Sequence, residues 1–534
     1  MKRDRNAKTA FQIKRAVMSS CGECFCLIKN GDSSIWISVS ELVSSPSKTF
    51  ASITNAGIII IANPEQTRLK REIQDIEEFH PALVATQPGW VADNVYVHPN
   101  GEVLSQGQST AEAIVTFTPN TTYSSRGKQE KWSKSIAPFI HEQPILSFLL
   151  AYGFAAPLIK FVRPSIQNLS LELVGNREAG KTTAAILVGS IFGGDDDSDI
   201  GIGRSANMTK QSLKSLQRMT NYSLLFLDET NIMDKSVTEG LGIFFEQTSS
   251  DERARYGSSE QKKPVKNSLI MTGNVPLEDC ASVPDEILEA ARSRNISIRL
   301  PGSIFKKTPN GFKNNGDALG AMRTLAMTEF GTPIRKFIEH ILIENERDPE
   351  AIANKIARKM ARFEKTVPKH ARKYNRLVRA CALVYAAGSL AAEWNILPIK
   401  RKSLMKYCLS VLSSQSFHSD SNVKRLINLI DQNKEFIIQC SHNSKNIERQ
   451  MDKQTLGFCV QRPDQDDHFY FIQGALKRFL GPDATTVLKA LRDQGVLIGE
   501  NGKNKKLCSH APRHLGFKKR VYKVVLTRNQ LAGN

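Results

Sequence analysis

The residues with the clearest chemistry lie between Leu171 and Thr183. A short apolar stretch is followed there by a loop with the spacing Gly-x4-Gly-Lys-Thr, and an alanine-rich stretch of helical character comes next. Gly175 and Gly180 allow backbone N–H groups to turn inward around phosphate oxygens, at a helix N-terminus that favours an anion. Strand, loop and helix in this order predict a phosphate-binding loop, or P-loop.

The side chains of this loop have separate predicted roles. Lys181 supplies a point charge to the β- and γ-phosphates, and the hydroxyl of Thr182 is a ligand for Mg²⁺. We therefore expect ATP and Mg²⁺ as cofactors. The residues predicted to contact the nucleotide are Gly175, Asn176, Arg177, Glu178, Ala179, Gly180, Lys181, Thr182 and Thr183.

Two later apolar runs end in polar residues that suit ATP hydrolysis. The run from Asn221 ends in Asp228 and Glu229, and its continuous apolar character is typical of a strand buried on both faces. Asp228 is predicted to bind the metal together with the P-loop threonine, and Glu229 to polarise the attacking water. The next run predicts a third strand, which ends in Asn274, a candidate sensor residue that orients this water. The core is thus predicted to be an α/β P-loop ATPase.

Basic residues further along the chain are candidates for phosphate contacts. Arg294 stands just before a predicted strand, where a guanidinium can reach a γ-phosphate of the same or a neighbouring subunit. Arg292 is the alternative residue for this role. A third interpretation is that both are simple surface arginines. The lysine-rich segment 251–267 predicts a hairpin before the sensor strand. Its Lys262 and Lys263 are candidate nucleic-acid contacts, although a solvated surface hairpin is equally consistent with the pattern.

The charge of the chain points to a polyanionic partner. Its 534 residues include 73 Lys+Arg and 53 Asp+Glu, a formal net charge of +20. For an ATPase core this excess favours DNA or RNA first and a membrane surface second. Residues 351–380 contain ten Lys/Arg and one acid, Glu364, on a helical pattern. A nucleic-acid face is favoured there over a solvated helix because like charges at this density repel one another.

Membrane and disulfide classes are disfavoured. The longest apolar stretch, Ile145–Ile159, is too short to span a bilayer and contains a proline, so it predicts a buried helix. The basic N-terminus has no apolar segment of a signal peptide behind it, and we expect a cytoplasmic protein. Nine cysteines fit free thiols in a reducing compartment. Cys21, Cys24 and Cys26 suggest zinc as an alternative, but no second pair follows at zinc-finger spacing and the segment is strand-like.

Four regions are predicted from these patterns. Residues 1–130 form a small α+β domain of two hairpins and a helix, which ends in a polar linker at Pro119–Lys134. Residues 131–302 form the ATPase core, with a parallel sheet flanked by helices, and residues 303–415 form a basic helical region. Residues 416–534 combine helices, a polar wing-like stretch and a final strand, and they resemble a winged helix.

Several of these segments together resemble the family called domain of unknown function 927. The resemblance covers roughly residues 20–395. It is carried by Gly89-Trp90, Val97–Val103, Phe154–Leu158, the P-loop, Leu227-Asp-Glu229 and the strand at Arg294. Proteins of that family occur in phages, plasmids and other mobile elements, often beside a primase, and look like AAA+ ATPases related to hexameric replicative helicases. The resemblance implies nucleotide and Mg²⁺ at Lys181 and Thr182 and an arginine finger at Arg294.

The function predicted from residues and resemblance together is an ATP-dependent DNA helicase or translocase of a mobile genetic element. It would act as a homo-oligomeric ring, with priming or loading done by a separately encoded primase or loader. An ATP-switched replication initiator or regulator, which binds DNA without unwinding it, is the alternative. A small-molecule kinase is disfavoured because it needs neither the +20 charge nor the second acid, Glu229.

Overall fold

The computed structural model divides the chain into two compact units, Met1–Gln415 and Ser416–Asn534. The residues that the structure describes are 11–106, 113–164, 166, 168–194, 198–233, 265–277, 294–300, 302–368, 371–372, 374–414, 419–441, 444–445, 447–452, 454–461, 467–480, 484–493, 496–499 and 507–526.

The first unit begins with a four-stranded sheet covered by three helices. The strand order is β3-β2-β1-β4, and a β-hairpin connects β2 and β3 as the sequence predicted. Alternate side chains of the strands pack with the helices in an apolar cluster around Phe11, Cys26 and Ile53. The elements are β1 Gln12–Met18, β2 Cys24–Asn30, β3 Ser33–Ser38, β4 His80–Pro81, α1 Val39–Ser44, α2 Pro46–Asn55 and α3 Asn63–Gln74.

A three-stranded antiparallel meander follows this sheet, and it contains the second predicted hairpin. Its turn at Gly101 has a backbone φ of 87°, a left-handed conformation that glycine adopts without steric cost. The meander consists of β6 Gly89–Ala92, β7 Val95–Val97 and β8 Val103–Ser105, and a separate parallel pair joins β5 Val84–Ala85 to β9 Ile114–Val115.

The core of the first unit is a five-stranded parallel sheet with the order β11-β12-β13-β10-β14. Two of its strands are buried along their whole length, which explains their continuous apolar runs. The strand β10 comes first of the five in the chain but lies between the last two, β13 and β14, so the strand order reverses there. Ligands of such sheets bind beyond the carboxyl ends of the strands at the point of reversal. The elements are β10 Leu169–Val174, β11 Arg204–Ser205, β12 Leu224–Asp228, β13 Ser268–Gly273, β14 Asn295–Arg299, α6 Lys181–Gly189 and α7 Lys210–Met219.

Buried tyrosines fix the opposite, amino-terminal edge of this sheet. The Tyr123 hydroxyl donates to the carbonyl oxygen of Leu224 at 2.6 Å, and the Tyr152 hydroxyl donates to that of Leu269 at 2.8 Å. The meander contributes Tyr96, whose hydroxyl lies 3.0 Å from Ser223 Oγ. The stretch Pro119–Lys134 therefore packs against the core and is not the free linker that its polar composition suggested.

Helices complete the first unit. The helix α5 is the buried helix predicted from the longest apolar stretch, and its side chains are almost all inaccessible. The helix α11 is buried on nearly all sides and packs against α5, α10 and α12. None of the helices within the described residues has the length and apolar character required to cross a bilayer. The elements are α4 Gln129–Ile140, α5 Pro144–Gly153, α8 Asn315–Thr328, α9 Thr332–Arg347, α10 Ala351–Thr366, α11 Asn375–Glu393 and α12 Arg401–Ser414.

The second unit has a sheet and an apolar core of its own. The path β15-β16-β17-β20-β18 forms the sheet, β19 pairs with β20, and the core includes Leu426, Phe471, Leu488 and Val524. The two helices and the last strand predicted from the sequence are present. The elements are α13 Ser419–Gln432, β15 Ile437–Ser441, β16 Gly457–Gln461, β17 Asp467–Ile472, α14 Gln473–Leu480, α15 Ala484–Asp493, β18 Leu497–Ile498, β19 Ser509–His510 and β20 Arg520–Leu526.

Candidate functional site

The predicted P-loop joins the carboxyl end of β10 to the N-terminus of α6. Gly180 caps the helix with a left-handed φ of 85°, and Glu178 adopts φ of 64°, which is uncommon for a residue with a side chain. A Cβ atom on Gly180 would lie 2.7 Å from Leu319 Cδ2 and 2.9 Å from Ile304 Cγ2, so only glycine fits. Asn176, Arg177 and Glu178 are exposed at the tip of the loop.

Lys181 is the buried cation of this loop. Its side chain is almost inaccessible, and Nζ donates to the carbonyl oxygens of Gly175 at 2.8 Å and Asn176 at 2.7 Å. Burial lowers the pKa of the ammonium group below its usual value, whereas the charge of Asp228 raises it. The geometry thus holds a positive charge inside the curve of the loop, where backbone N–H groups and the helix N-terminus also favour an anion.

Thr182 and Asp228 meet at the carboxyl edge of the sheet, although 46 positions separate them in the chain. Thr182 Oγ1 donates to Asp228 Oδ1 at 3.0 Å. The same carboxylate oxygen accepts a short hydrogen bond from Thr272 Oγ1. A hydroxyl and a carboxylate side by side are the hard oxygen donors that Mg²⁺ prefers, so the donor set fits the predicted metal.

Thr272 was not among the sequence candidates. Besides its bond to Asp228, its hydroxyl accepts the backbone N–H of Glu229 at 3.4 Å. The sequence carries a signal for this residue, because Thr272 and Asn274 are two positions apart and side chains at this spacing share a face of a strand. A threonine in an otherwise apolar strand, on the face of the predicted sensor, marks a polar contact.

Glu229 is exposed directly after the acidic strand and has a left-handed φ of 60°. The next residue, Thr230, is buried, and its hydroxyl donates to the carbonyl oxygen of Thr272 at 3.1 Å. This bond fixes the turn after β12 to the neighbouring strand. The turn leaves the Glu229 side chain exposed, one residue after Asp228.

Asn274 extends the cluster beyond the end of β13. Its Oδ1 accepts a hydrogen bond from Lys181 Nζ at 3.2 Å, so the predicted sensor lies beside the P-loop lysine. The chain behind it is tied back to the P-loop strand, because the backbone N–H of Leu277 donates to the buried carboxylate of Glu172 at 3.0 Å. The side chains that the sequence predicted for the P-loop, acidic strand and sensor strand therefore converge.

Arg294 is placed differently. The parallel register pairs Asn295 with Ser170 and Arg299 with Val174, the residue before the P-loop. Arg294 therefore lies at the amino-terminal edge of the sheet, about 16 Å along the strand from the level of the P-loop. Arg299 is the arginine of this strand at the P-loop edge, and it is exposed.

Three further candidates fall on segments outside the described residues. They are Lys262 and Lys263 of the predicted hairpin and Arg292, the alternative to Arg294. Residues 351–380 were predicted to form a nucleic-acid face. Within this segment, Lys355 forms an ion pair with Glu344 and Lys359 forms one with Glu393. Within the described part of the chain, no cluster of three or more His, Cys, Asp or Glu side chains could hold a metal ion by itself.

Comparison with solved structures shows the fold. A structure described as the active helicase Cch of SCCmec type IV aligns with 98% of this chain and 95% of its own, with a TM-score of 0.64 and 14% sequence identity. At this identity the similarity shows a common fold and nothing more specific. A structure of the C-terminal region of NrS-1 aligns with 96% of each chain at 11% identity, but its TM-score of 0.29 carries no argument.

Comparison of sequences identifies the family. No curated protein sequence matches the chain significantly. A family model described as "Domain of unknown function (DUF927)" matches residues 16–260. The matched region contains the P-loop and the acidic strand and ends before the sensor strand. It confirms the family predicted from the sequence motifs, over a shorter range than the predicted 20–395. The resemblance to the DUF927 family is therefore confirmed over residues 16–260 of this chain.

Proposed function

We propose that this protein is an AAA+ ATPase that acts as an ATP-dependent DNA helicase or translocase in the replication of a mobile genetic element. The observation that carries the proposal is the convergence of Lys181, Thr182, Asp228 and Asn274 at one edge of a parallel sheet. A structural ion pair or a chance motif does not require two polar side chains of a glycine-capped helix N-terminus to meet two more from the ends of neighbouring strands.

The residues of the site fit ATP with Mg²⁺. The loop Gly175–Thr183 binds the triphosphate through backbone N–H groups and the Lys181 ammonium. Thr182 and Asp228 would hold the magnesium ion, which would neutralise charge on the phosphate oxygens. Thr272 orients the Asp228 carboxylate through its hydroxyl.

Hydrolysis is assigned to the exposed end of the acidic strand. Glu229 accepts a proton from the attacking water, and Asn274 holds that water in position through its amide. Both residues follow carboxyl ends of neighbouring strands, so their side chains extend into the same region beyond the sheet. Lys181 contacts Asn274 directly, which links the sensor to the γ-phosphate side of the loop.

The position of Arg294 favours action between subunits. An arginine at the opposite edge of the sheet is too far from the P-loop of its own chain, but it can neutralise charge at the site of a neighbour in a ring. This supports a homo-oligomeric ring of hexameric type, in which Arg294 completes the nucleotide site of the next subunit. A separately encoded primase or loader is the proposed partner for priming or loading.

DNA is the proposed substrate because the chain carries a net charge of +20 and Lys262 and Lys263 precede the sensor strand, where ring translocases contact DNA. The common fold with a structure described as an active helicase, and the DUF927 match, support the same conclusion.

Unwinding of a forked, labelled duplex tests the proposal, together with ATPase activity measured with and without single-stranded DNA. We expect ATP-dependent unwinding, and a loss of at least about 100-fold in ATPase activity in Lys181→Ala. DNA-stimulated hydrolysis without strand separation would support the replication initiator instead. ATPase activity that is unchanged in Lys181→Ala would refute both.

A further inference from the structure

The helix α10, Ala351–Thr366, presents a row of exposed cations. Arg358, Arg362 and Lys365 follow at intervals of four and three residues, which places them on one face of the helix. The opposite face is apolar and buried, with Ile352, Ile356, Met360 and Phe363 inside the unit. The row extends over about 10 Å, because an α-helix rises about 1.5 Å per residue.

The cations beside this row are already neutralised. Lys359 Nζ lies 2.5 Å from a carboxylate oxygen of Glu393, and Lys355 pairs with Glu344. Arg401 lies 3.8 Å from the other oxygen of Glu393. The carboxylates on the flank of α10 are therefore engaged. Within the described residues, Arg362 and Lys365 form no ion pair.

A second helix continues the exposed positive charge. The helix α12, Arg401–Ser414, touches the end of α10, where Thr366 Oγ1 lies 3.6 Å from the sulfur of Met405. Lys402 and Lys406 are exposed one turn apart, on either side of Met405 in the sequence. Arg362 is one turn before Thr366, and Lys402 is one turn before Met405. The two helices thus place their exposed cations on both sides of one contact.

We propose that Arg358, Arg362, Lys365, Lys402 and Lys406, here called the basic face, form a binding surface for the phosphate backbone of a nucleic acid. Five exposed cations at this density repel one another unless an anion lies nearby. Between residues 351 and 414 the chain has fourteen Lys/Arg and two acids, Glu364 and Glu393. The carboxylates of this segment are therefore too few to compensate its charge.

The extent of the basic face favours a polymer over a small anion. A single phosphate contacts one or two cations, whereas a row of about 10 Å on one helix beside a pair on another fits several consecutive phosphates. A membrane surface is disfavoured, since no large apolar side chain is exposed in the described part of 351–414 and interfacial helices bury such residues in lipid.

The basic face is separate from the nucleotide site, and the inference rests on the proposed function only for the class of partner. It predicts nucleic-acid binding that does not require ATP. Phosphate contacts carry no base sequence, so the binding is expected to be independent of sequence.

Fluorescence anisotropy with a labelled single-stranded oligonucleotide, without nucleotide and over a series of salt concentrations, tests the inference. The variant R362Q/K402Q/K406Q removes three cations of the basic face. We expect about tenfold or greater loss of affinity at moderate salt. We also expect the negative slope of log affinity against log salt concentration to become shallower by about 2. A labelled duplex in a parallel series distinguishes single-stranded from double-stranded partners.

The matched control is K29Q/K48Q/R71Q, which removes one arginine and two lysines, all exposed, from the N-terminal sheet region. We expect its affinity to change less than about threefold. Thermal unfolding and DNA-independent ATPase activity should be unchanged in both triple variants, and the single variant R362Q serves if the triple variant unfolds.

Equal effects of the two triple variants, or an unchanged salt slope, would overturn the inference. The inference would also be overturned if R362Q/K402Q/K406Q lost binding to anionic vesicles but kept its affinity for the oligonucleotide. Lys181→Ala should bind the oligonucleotide normally, so failure of the ATPase proposal is distinguishable.

Discussion

The Thr272 hydroxyl gives the sharpest test of the metal site at the scale of single residues. It donates to the carboxylate oxygen of Asp228 that also accepts from Thr182. Partners that orient a metal ligand typically contribute 10- to 100-fold in metal affinity. We expect Thr272→Val to raise the Mg²⁺ concentration for half-maximal ATPase activity about tenfold or more. Thr272→Ser restores the hydroxyl and should recover most of this loss. A Thr272→Val protein with the wild-type Mg²⁺ dependence would contradict the orienting role.

Gly180 gives a second test, which depends on backbone geometry. Gly180→Ala forces an alanine into a left-handed conformation that costs roughly 1–2 kcal/mol, and its Cβ meets Leu319 and Ile304. We expect a lower melting temperature and a strong loss of ATP binding, measured by calorimetry. Gly320→Ala is the control, because a Cβ there meets nothing within 4 Å and alanine favours a helix by up to about 1 kcal/mol. Equal behaviour of the two variants would refute the steric argument.

At this scale the sequence predicted the neighbours that follow from motif spacing and strand ends. Lys181, Asp228 and Asn274 meet as expected, because carboxyl ends of parallel strands share an edge. The same rule places Arg294 away from the P-loop of its own chain, because it precedes β14 and the amino ends of parallel strands lie at the opposite edge. The sequence of one chain contains no information on which subunit's site this arginine reaches, since that depends on contacts between chains.

The junction of the meander with α9 shows what elements add to the site. His98 of the meander is fully buried, and its Nδ1 lies 3.1 Å from Asn100 Oδ1. Arg335 of α9 is also buried, and its Nε donates to a Glu102 carboxylate oxygen at 2.5 Å. The ring of Tyr123 packs edge-on against His98. Polar groups thus join the N-terminal strands to a helix that lies more than 200 residues later.

His98 makes the stability of this junction dependent on pH. Burial, together with the Arg335 charge, lowers the pKa of His98 to about 3 from the usual 6.5. The unfolded chain therefore binds a proton below pH 6.5 that the folded chain does not, and stability falls as the pH decreases from 6.5 towards 3. Between pH 7.5 and 5.5 this loss of stability is on the order of 1 kcal/mol.

Melting curves of wild type and His98→Gln at these two pH values measure the effect. We expect the wild-type melting temperature to decrease further than that of the variant, by an extra shift on the order of 2 °C. The difference between the two pH values is the readout, so a constant loss of stability in the variant does not interfere. Parallel shifts in both proteins would contradict a neutral, buried His98.

Element prediction succeeded where apolar periodicity is strong and failed where burial comes from isolated aromatic residues. The buried strands, the hairpins and α5 follow from their apolar runs. The stretch Pro119–Lys134 has a polar composition, yet Tyr123 and Trp132 within it are fully buried. Their burial depends on carbonyl and hydroxyl partners, Leu224 and Ser190, which are distant in the chain.

For the whole molecule, the position of the meander decides which parts can be removed. The first sheet and its helices enclose their own apolar cluster around Phe11 and Ile53, whereas the meander and Tyr123 donate hydrogen bonds to the amino-terminal edge of the core sheet. Residues before about 83 thus stabilise the first sheet, whereas residues from 84 onward stabilise the edge of the core sheet. The predicted limit at residue 130 stays a prediction that this difference makes testable.

Two deletions carry out that test. Removal of residues 1–82 takes away a sheet with its own core and leaves Tyr96 and Tyr123 on the ATPase sheet, so we expect a folded protein with DNA-independent ATPase activity near that of wild type. Removal of residues 1–130 exposes the sheet edge around Ser223 and Leu224 to solvent and removes its hydrogen bonds to Tyr96 and Tyr123, each worth about 0.5–1.5 kcal/mol. We expect this protein to unfold at a clearly lower temperature or to aggregate, as measured by circular dichroism and light scattering. A 1–130 deletion that melts like wild type and hydrolyses ATP would show that the N-terminal region is an independent domain, and that the tyrosine contacts contribute little to the stability of the core.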